Sequence, residues 1–182
     1  MSPARAFTLA LLAGACALHG CGGGASDTPG VPDNILHVGN GAEPADLDPH
    51  LVTGVSEHLL LSSLFQGLVD VDLQTLQPIP GVAERWEVAD DGLTYTFHLR
   101  EDARWSNGAP LTAQHFVYSW RRMLTPALAS QYSYLLHCIE NARAYNEGDI
   151  EDFSLVGARA EDDRTRVVTL DHPTPYFLTM QV

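Results

Sequence analysis

Three features of the sequence predict a mixed α/β fold. Leu93, Tyr95, Phe97 and Leu99 alternate with Thr94, Thr96 and His98, the period-two pattern of a strand with one buried and one wet face. Asp90-Asp91-Gly92, just before it, supplies the glycine that a tight hairpin needs at positive φ, so residues 86–89 become its antiparallel partner. Phe116, Val117, Trp120, Met123 and Leu124 then recur at three- and four-residue spacing, opposite Gln114, Ser119, Arg121 and Arg122. That is the pattern of an amphipathic helix. Thr112 stands where it can cap the first turn, after a loop marked by Ser106-Asn107-Gly108 and Pro110.

Composition narrows the function. A chain of 182 residues, 45% hydrophobic, has enough apolar surface for the core of one domain but not of two large ones. Ten basic residues, all arginine, face 23 acidic ones. Such a balance argues against nucleic acid or an anionic membrane surface as a partner, since both would be repelled. The surplus acts as a solubilising charge; collecting cationic ligands is the narrower alternative.

Residues 1–21 have the form of an export leader. Arg5 gives the n-region its charge, and residues 6–18 are an apolar run too short to span a bilayer. Leu18-His19-Gly20-Cys21 resembles a lipobox, at which a bacterial lipoprotein is lipidated on cysteine and cleaved before it; Cys16 is a competing site. Acyl chains on Cys21 would anchor the domain to the membrane. The alternative is an ordinary secretory signal with incidental cysteines, and both predict an exported protein in the periplasm or at the cell surface. Residues 22–34, dense in Gly, Ser, Pro and Asp, read as a flexible tether. With Cys21 lipidated and Cys16 removed, Cys138 lacks a disulfide partner, and its apolar neighbours point to a buried, inert thiol.

In chain order, residues 35–39 are expected as a short strand and residues 41–50, with two prolines, as an extended loop. Ser56 is expected to cap a helix over 57–66 that Gly67 stops. Its apolar face, Leu59, Leu60, Leu64 and Phe65, should pack on more than one neighbour. Beyond Thr125-Pro126, a second helix is expected over 131–145, carrying Tyr132, Leu135, Leu136, Ile139 and Ala142 and ended at Asn146-Glu147-Gly148. Residues 155–160 and 164–170 read as a hairpin, and residues 176–178 as the entry to another helix. Trp86, Trp105 and Trp120 read as core of this region, with a carbohydrate-stacking platform as the sharper alternative.

The segments GVAERWEV, TYTFHLREDARWSNG and PLTAQHFVYSWRR, preceded by G-x-E-P-x-x-L-D-P-H over 41–50, resemble the signature of extracellular solute-binding protein family 5, the oligopeptide-binding component of peptide ABC transporters. The resemblance covers residues 35–182 and implies the N-terminal part of a two-lobed periplasmic-binding-protein type II fold. Its boundaries would be 35–70 for the start of lobe I, 71–178 for the accessory mixed sheet-and-helix domain, and 179–182 for the return to lobe I. Family members are roughly three times this length. The resemblance places residues 53–55, Thr53-Gly54-Val55, at the ligand, where a backbone segment can pair with an extended peptide as an added strand. The best-known oligopeptide binders carry an acidic residue at the position of Thr53. Tyr132 matches a tyrosine that reaches the ligand; the alternative is an aromatic packed on its own domain.

Other chemistry finds no support in the sequence. The eight histidines form no H-x-H, H-x-x-x-H or H-E-x-x-H pair, so no metal is expected. No nucleophile elbow, phosphate loop or dinucleotide fingerprint is present. Asp90-Asp91, Glu151-Asp152 and Asp162-Asp163 are adjacent turn carboxylates that cannot flank a substrate. The expectation is therefore a monomeric, lipid-anchored binding protein without cofactor or catalytic residue, delivering oligopeptides to the permease and ATPase subunits of an importer. Two alternatives remain: the same fold serving dipeptides, nickel chelates or another small solute, and an exported hydrolase with a similar domain.

Overall fold

The computed structural model of the chain describes residues 36–181. The expected leader, Cys21, the tether, Ile35 and Val182 lie outside them. Residues 36–39, expected as a strand, have no regular structure and are exposed. A strand exists only with a hydrogen-bonded neighbour, and none of the described strands pairs with them.

From Asn40 onward come α1 (Val55–Leu64), the short strands β1 (Val69–Val71) and β2 (Pro78–Pro80), and the hairpin β3 (Ala83–Val88) and β4 (Thr94–Leu99). They are followed by α2 (Ala113–Leu124), α3 (Ala142–Glu147), β5 (Ala158–Ala160) and β6 (Thr165–Thr169). β1 and β2 form a two-stranded ribbon. The other strands make one antiparallel sheet in the order β3-β4-β6-β5.

The central hairpin forms as the alternation predicts. Trp86 pairs with Phe97, and Gly92 turns the chain at φ +69°. Tyr95, Phe97 and Leu99 are buried. α2 lays Val117, Trp120 and Leu124 into the same core. Its N-cap is Thr112, whose backbone N–H donates to Nδ1 of His115 at 3.0 Å, one half of a capping box. Phe177 completes the core, fully buried with its ring 4.8 Å from Tyr95 and 6.3 Å from Trp120.

The register of β6 has a consequence that the sequence reading missed. Val168 pairs with Tyr95 and Arg166 with Phe97, so Arg166 faces the core and is 0% exposed. Its guanidinium carbon lies 3.4 Å from the centre of the Trp120 ring and 5.5 Å from that of Phe116. None of its three nitrogens has a hydrogen-bond partner among the described residues, and desolvation pushes its pKa down to about 9. Among the described residues these cation–π contacts are what compensates it.

Several expected elements differ. The helix expected over 131–145 is a 3-10 turn, Ser133–Leu136, then a pair of turns bridged to the sheet at Ile139, then the short α3. Sheet bonds override the helical periodicity: Ile139 bridges to Leu170, Glu140 N–H donates to the Thr169 carbonyl, and Gly157 N–H donates to the Glu140 carbonyl. Asn141, at φ +59°, reverses the chain before α3, and Gly148 at φ +84° ends it. The second hairpin begins at Ala158, three residues later than expected, because Phe153–Leu155 is a 3-10 turn. The last expected helix is the 3-10 turn Leu178–Gln181. Of the tryptophans only Trp120 is a core residue. Trp86 is half-buried, and Trp105 is exposed with its edge against His115.

α1 also departs from expectation. It starts after Gly54 rather than Ser56 and ends at Leu64 rather than at Gln66. Val55, Leu59, Leu64 and Phe65 are exposed, not packed on several neighbours, since no described element covers that face. Among the described residues no helix is long and apolar enough to cross a membrane.

Candidate ligand-binding site

The loop that leads into α1 is held by its own carboxylates. Asp46 Oδ1 accepts from the backbone N–H groups of Leu47 and Asp48, and Asp48 Oδ1 from that of His50 at 3.0 Å. Leu51 and Val52 N–H both donate to the Asp48 carbonyl, which closes a tight turn. Glu57, buried in the first turn of α1, reaches back to accept from Ala45 N–H at 2.9 Å and from Ser56 Oγ at 2.9 Å. These bonds, chiefly the Ala45 one, hold its carboxyl below the usual range. Ser56 thus serves Glu57 rather than the helix end. Gly54 leaves room for that carboxylate: a Cβ there would sit 2.0 Å from Glu57 Oε2 and displace it.

A second set of bonds ties this loop to α2. Both terminal nitrogens of Arg122 donate to the Asp48 carboxylate, Nη1 to Oδ1 at 2.8 Å. The hydrogen bond from Arg122 lowers the Asp48 pKa to about 2. Arg122 Nη1 also lies 2.6 Å from Nδ1 of His50, whose Nε2 is 3.0 Å from Ser119 Oγ. Arginine only donates, so Nδ1 presents its lone pair and the ring is the neutral Nε2–H tautomer, donating to Ser119. Burial, then the Arg122 charge, pushes the His50 pKa down. The His50 carbonyl in turn accepts from Ser130 Oγ at 2.6 Å.

Thr53, Gly54, Val55 and Tyr132 line a single open cavity of about 430 Å³. Pro49, Val52, His58 and Leu61 complete its wall. Among the described residues no carboxylate lines it. The backbone N–H and C=O of Thr53 have no partner among the described residues. Tyr132 is exposed and its ring stands 6.3 Å from that of Tyr134. The sequence reading did not anticipate Asp48, His50, His58, Arg122 or Ser130. The first two sat in the segment it singled out, but no sequence signal links them to Arg122, which reads as a helix-end cation.

Nucleophilic or metal chemistry has no constellation here. Cys138 is buried and burial pushes its thiol pKa up, while among the described residues no group of histidine, cysteine and carboxylate side chains could hold a metal ion. A second, smaller cavity of about 240 Å³ lies beside Tyr134 and Cys138.

An antiparallel sheet packed on one helix, with an open cavity lined by backbone, apolar and aromatic groups, is the arrangement that the family comparison sorts into the class of solute-binding proteins. The chain belongs to one family of that class: the profile of the bacterial extracellular solute-binding proteins, family 5 (middle region), matches residues 77–181. It is 46% identical over 145 residues to the periplasmic oligopeptide-binding protein OppA of Haemophilus influenzae, covering 78% of this chain and 26% of the relative. With OppA of Escherichia coli it shares 43% over 179 residues, 95% of this chain and 31% of that one. The solved H. influenzae OppA complex with RPPGFSPFR superposes with TM-score 0.72 at 44% identity, over 78% of this chain and 28% of that one. The E. coli murein tripeptide binding protein MppA gives TM-score 0.71 at 38% identity, over 76% and 27%. The chain thus spans between a quarter and a third of the length of these relatives.

Proposed function

We propose that the protein is the substrate-binding component of an ABC importer, capturing extended oligopeptides between two lobes and passing them to a permease. One observation carries the reading: residues 53–55 and Tyr132 line one cavity, with the Thr53 backbone groups unpaired. An extended peptide adds there as a strand, and Tyr132 stacks on or hydrogen-bonds its chain. Residues 35–70 belong to the large lobe and 71–178 to the accessory domain in this reading. Lipid on Cys21 keeps the receptor, a monomer, at the membrane face, and no chemical step is assigned to it.

The apolar wall and a relative at 42% identity over 157 residues, the probable deoxycholate-binding periplasmic protein YgiS of E. coli, favour a second reading in which the solute is a small amphiphile. Calorimetry of the intact protein, purified from its own cells, separates the two. Tripeptides should bind in the micromolar range or tighter, with Tyr132→Ala weakening binding about tenfold. Binding of a bile acid or a nickel chelate without peptide binding would replace the peptide reading. Turnover of any peptide offered would replace both with a hydrolase. The mass of the detergent-phase product tests the lipid anchor.

A further inference from the structure

We infer that His50 is a positioning residue which fixes the separation between residues 53–55 and Tyr132, the two walls of the candidate cavity, and releases it when its ring is protonated. The inference rests on the peptide-binding reading above. One residue holds both walls. Its ring is fastened to α2 through Ser119 and Arg122, and its carbonyl is fastened to Ser130, two residues before Tyr132. The links onward are short. Leu51 and Val52 both bond back to Asp48, so the turn from His50 to Thr53 moves as a unit. Ser133 N–H donates to the Ser130 carbonyl, closing the turn that contains Tyr132.

The ring can hold this place only while neutral. A proton on Nδ1 would face an Arg122 N–H across 2.6 Å, donor against donor and charge against charge, and one group must withdraw. The Asp48 charge favours the protonated ring but is outweighed by burial and by Arg122. On its own loop, Asp48 already accepts from both Arg122 nitrogens and from the His50 N–H. On α1, Glu57 is occupied by Ala45 and Ser56. α2 contributes Arg122 and the neutral Ser119 and Tyr118, and the segment from Ser130 to Tyr132 contributes no charge. Burial and the Arg122 charge place the transition below the ordinary histidine value. His58, inside the cavity, is the other titratable group to control for.

The test uses the intact protein with ¹⁵N-labelled histidine. Imidazole nitrogen resonances should show His50 as the Nε2–H tautomer at neutral pH. The amide resonances of Gly54 and Tyr132 should shift together as His50 protonates. His50→Gln, whose amide can accept from Arg122 and donate to Ser119 but does not titrate, should lose that shift; His58→Gln should keep it. With trialanine as probe, wild-type affinity should fall about tenfold across the same step, the equivalent of one lost charge-assisted hydrogen bond. His50→Gln should stay flat within about twofold. Wall resonances that ignore the His50 titration, or the same pH response in His50→Gln, would overturn the inference. Trialanine that binds at no pH would sink the functional reading, while the ligand-free resonances still decide the role of His50.

Discussion

Asp48 and Arg122, 74 residues apart in the chain, meet through both carboxylate oxygens and both terminal guanidinium nitrogens. The pair fastens the loop before α1 to the last turn of α2. Because one nitrogen of Arg122 also serves His50, the three side chains act as one unit, and their contributions should not add.

A double-mutant cycle reads that coupling. Asp48→Asn and Arg122→Lys should each lower peptide affinity, and the double variant should lose little more than either alone. Independent losses, measured by calorimetry, would show two separate contacts instead. The pH sign also follows. The Asp48 pKa is depressed to about 2, so its contribution is complete above the unfolded carboxylate range and is lost only as pH falls toward 2. A change in the cavity just below the ordinary histidine value therefore belongs to His50, not to this pair.

Gly54 offers a test that separates binding from folding. Its φ is −87°, so alanine is not strained there; the added Cβ instead displaces the Glu57 carboxylate from Ala45 N–H. Gly54→Ala should weaken peptide binding about fivefold, the scale of one lost hydrogen bond. Its thermal midpoint should move little, because Glu57 is the far end of a flexible side chain.

Gly157 should behave in the opposite way. A Cβ there would lie 2.3 Å from the Thr169 carbonyl oxygen and 2.9 Å from Glu140 Cβ, on backbone that is part of the sheet edge. Gly157→Ala should cost about 2–3 kcal/mol in denaturant unfolding, since strands cannot yield as a side chain can. An unchanged midpoint would mean that the 140, 157 and 169 segments are less closely joined than their hydrogen bonds indicate.

Arg166 is a buried cation with no hydrogen-bond partner among the described residues, and its replacement should stabilise the protein. Desolvation of such an ion costs several kcal/mol, whereas stacking on Trp120 returns about 2. Arg166→Met should therefore raise the unfolding free energy by about 2 kcal/mol at neutral pH. The sign with pH is fixed by the depressed pKa of about 9. Above it the folded chain holds fewer protons than the unfolded one, so wild-type stability rises relative to the variant. A gap between the two that stays constant from pH 8 to 10 would contradict the assignment.

The sequence by itself determined the central hairpin, α2 and the family. Period-two alternation from Leu93 to Leu99, a turn glycine and three-to-four spacing from Phe116 to Leu124 are local signals, and each matches the burial it requires. It did not determine β6, where Arg166, Val167 and Val168 are all buried and both faces are covered, so that an arginine enters the core against its chemistry. Tertiary structure decided the rest. Residues 137–141 have a helical pattern, yet hydrogen bonds to Thr169 and Gly157 draw them to the sheet, because a backbone group satisfied across the sheet no longer needs a helical partner. Likewise the union of residues 53–55 with Tyr132 depends on His50, Arg122 and Ser130, whose meeting no spacing encodes. Contacts across 72 and 80 residues exist only once the sheet and α2 have brought those segments together.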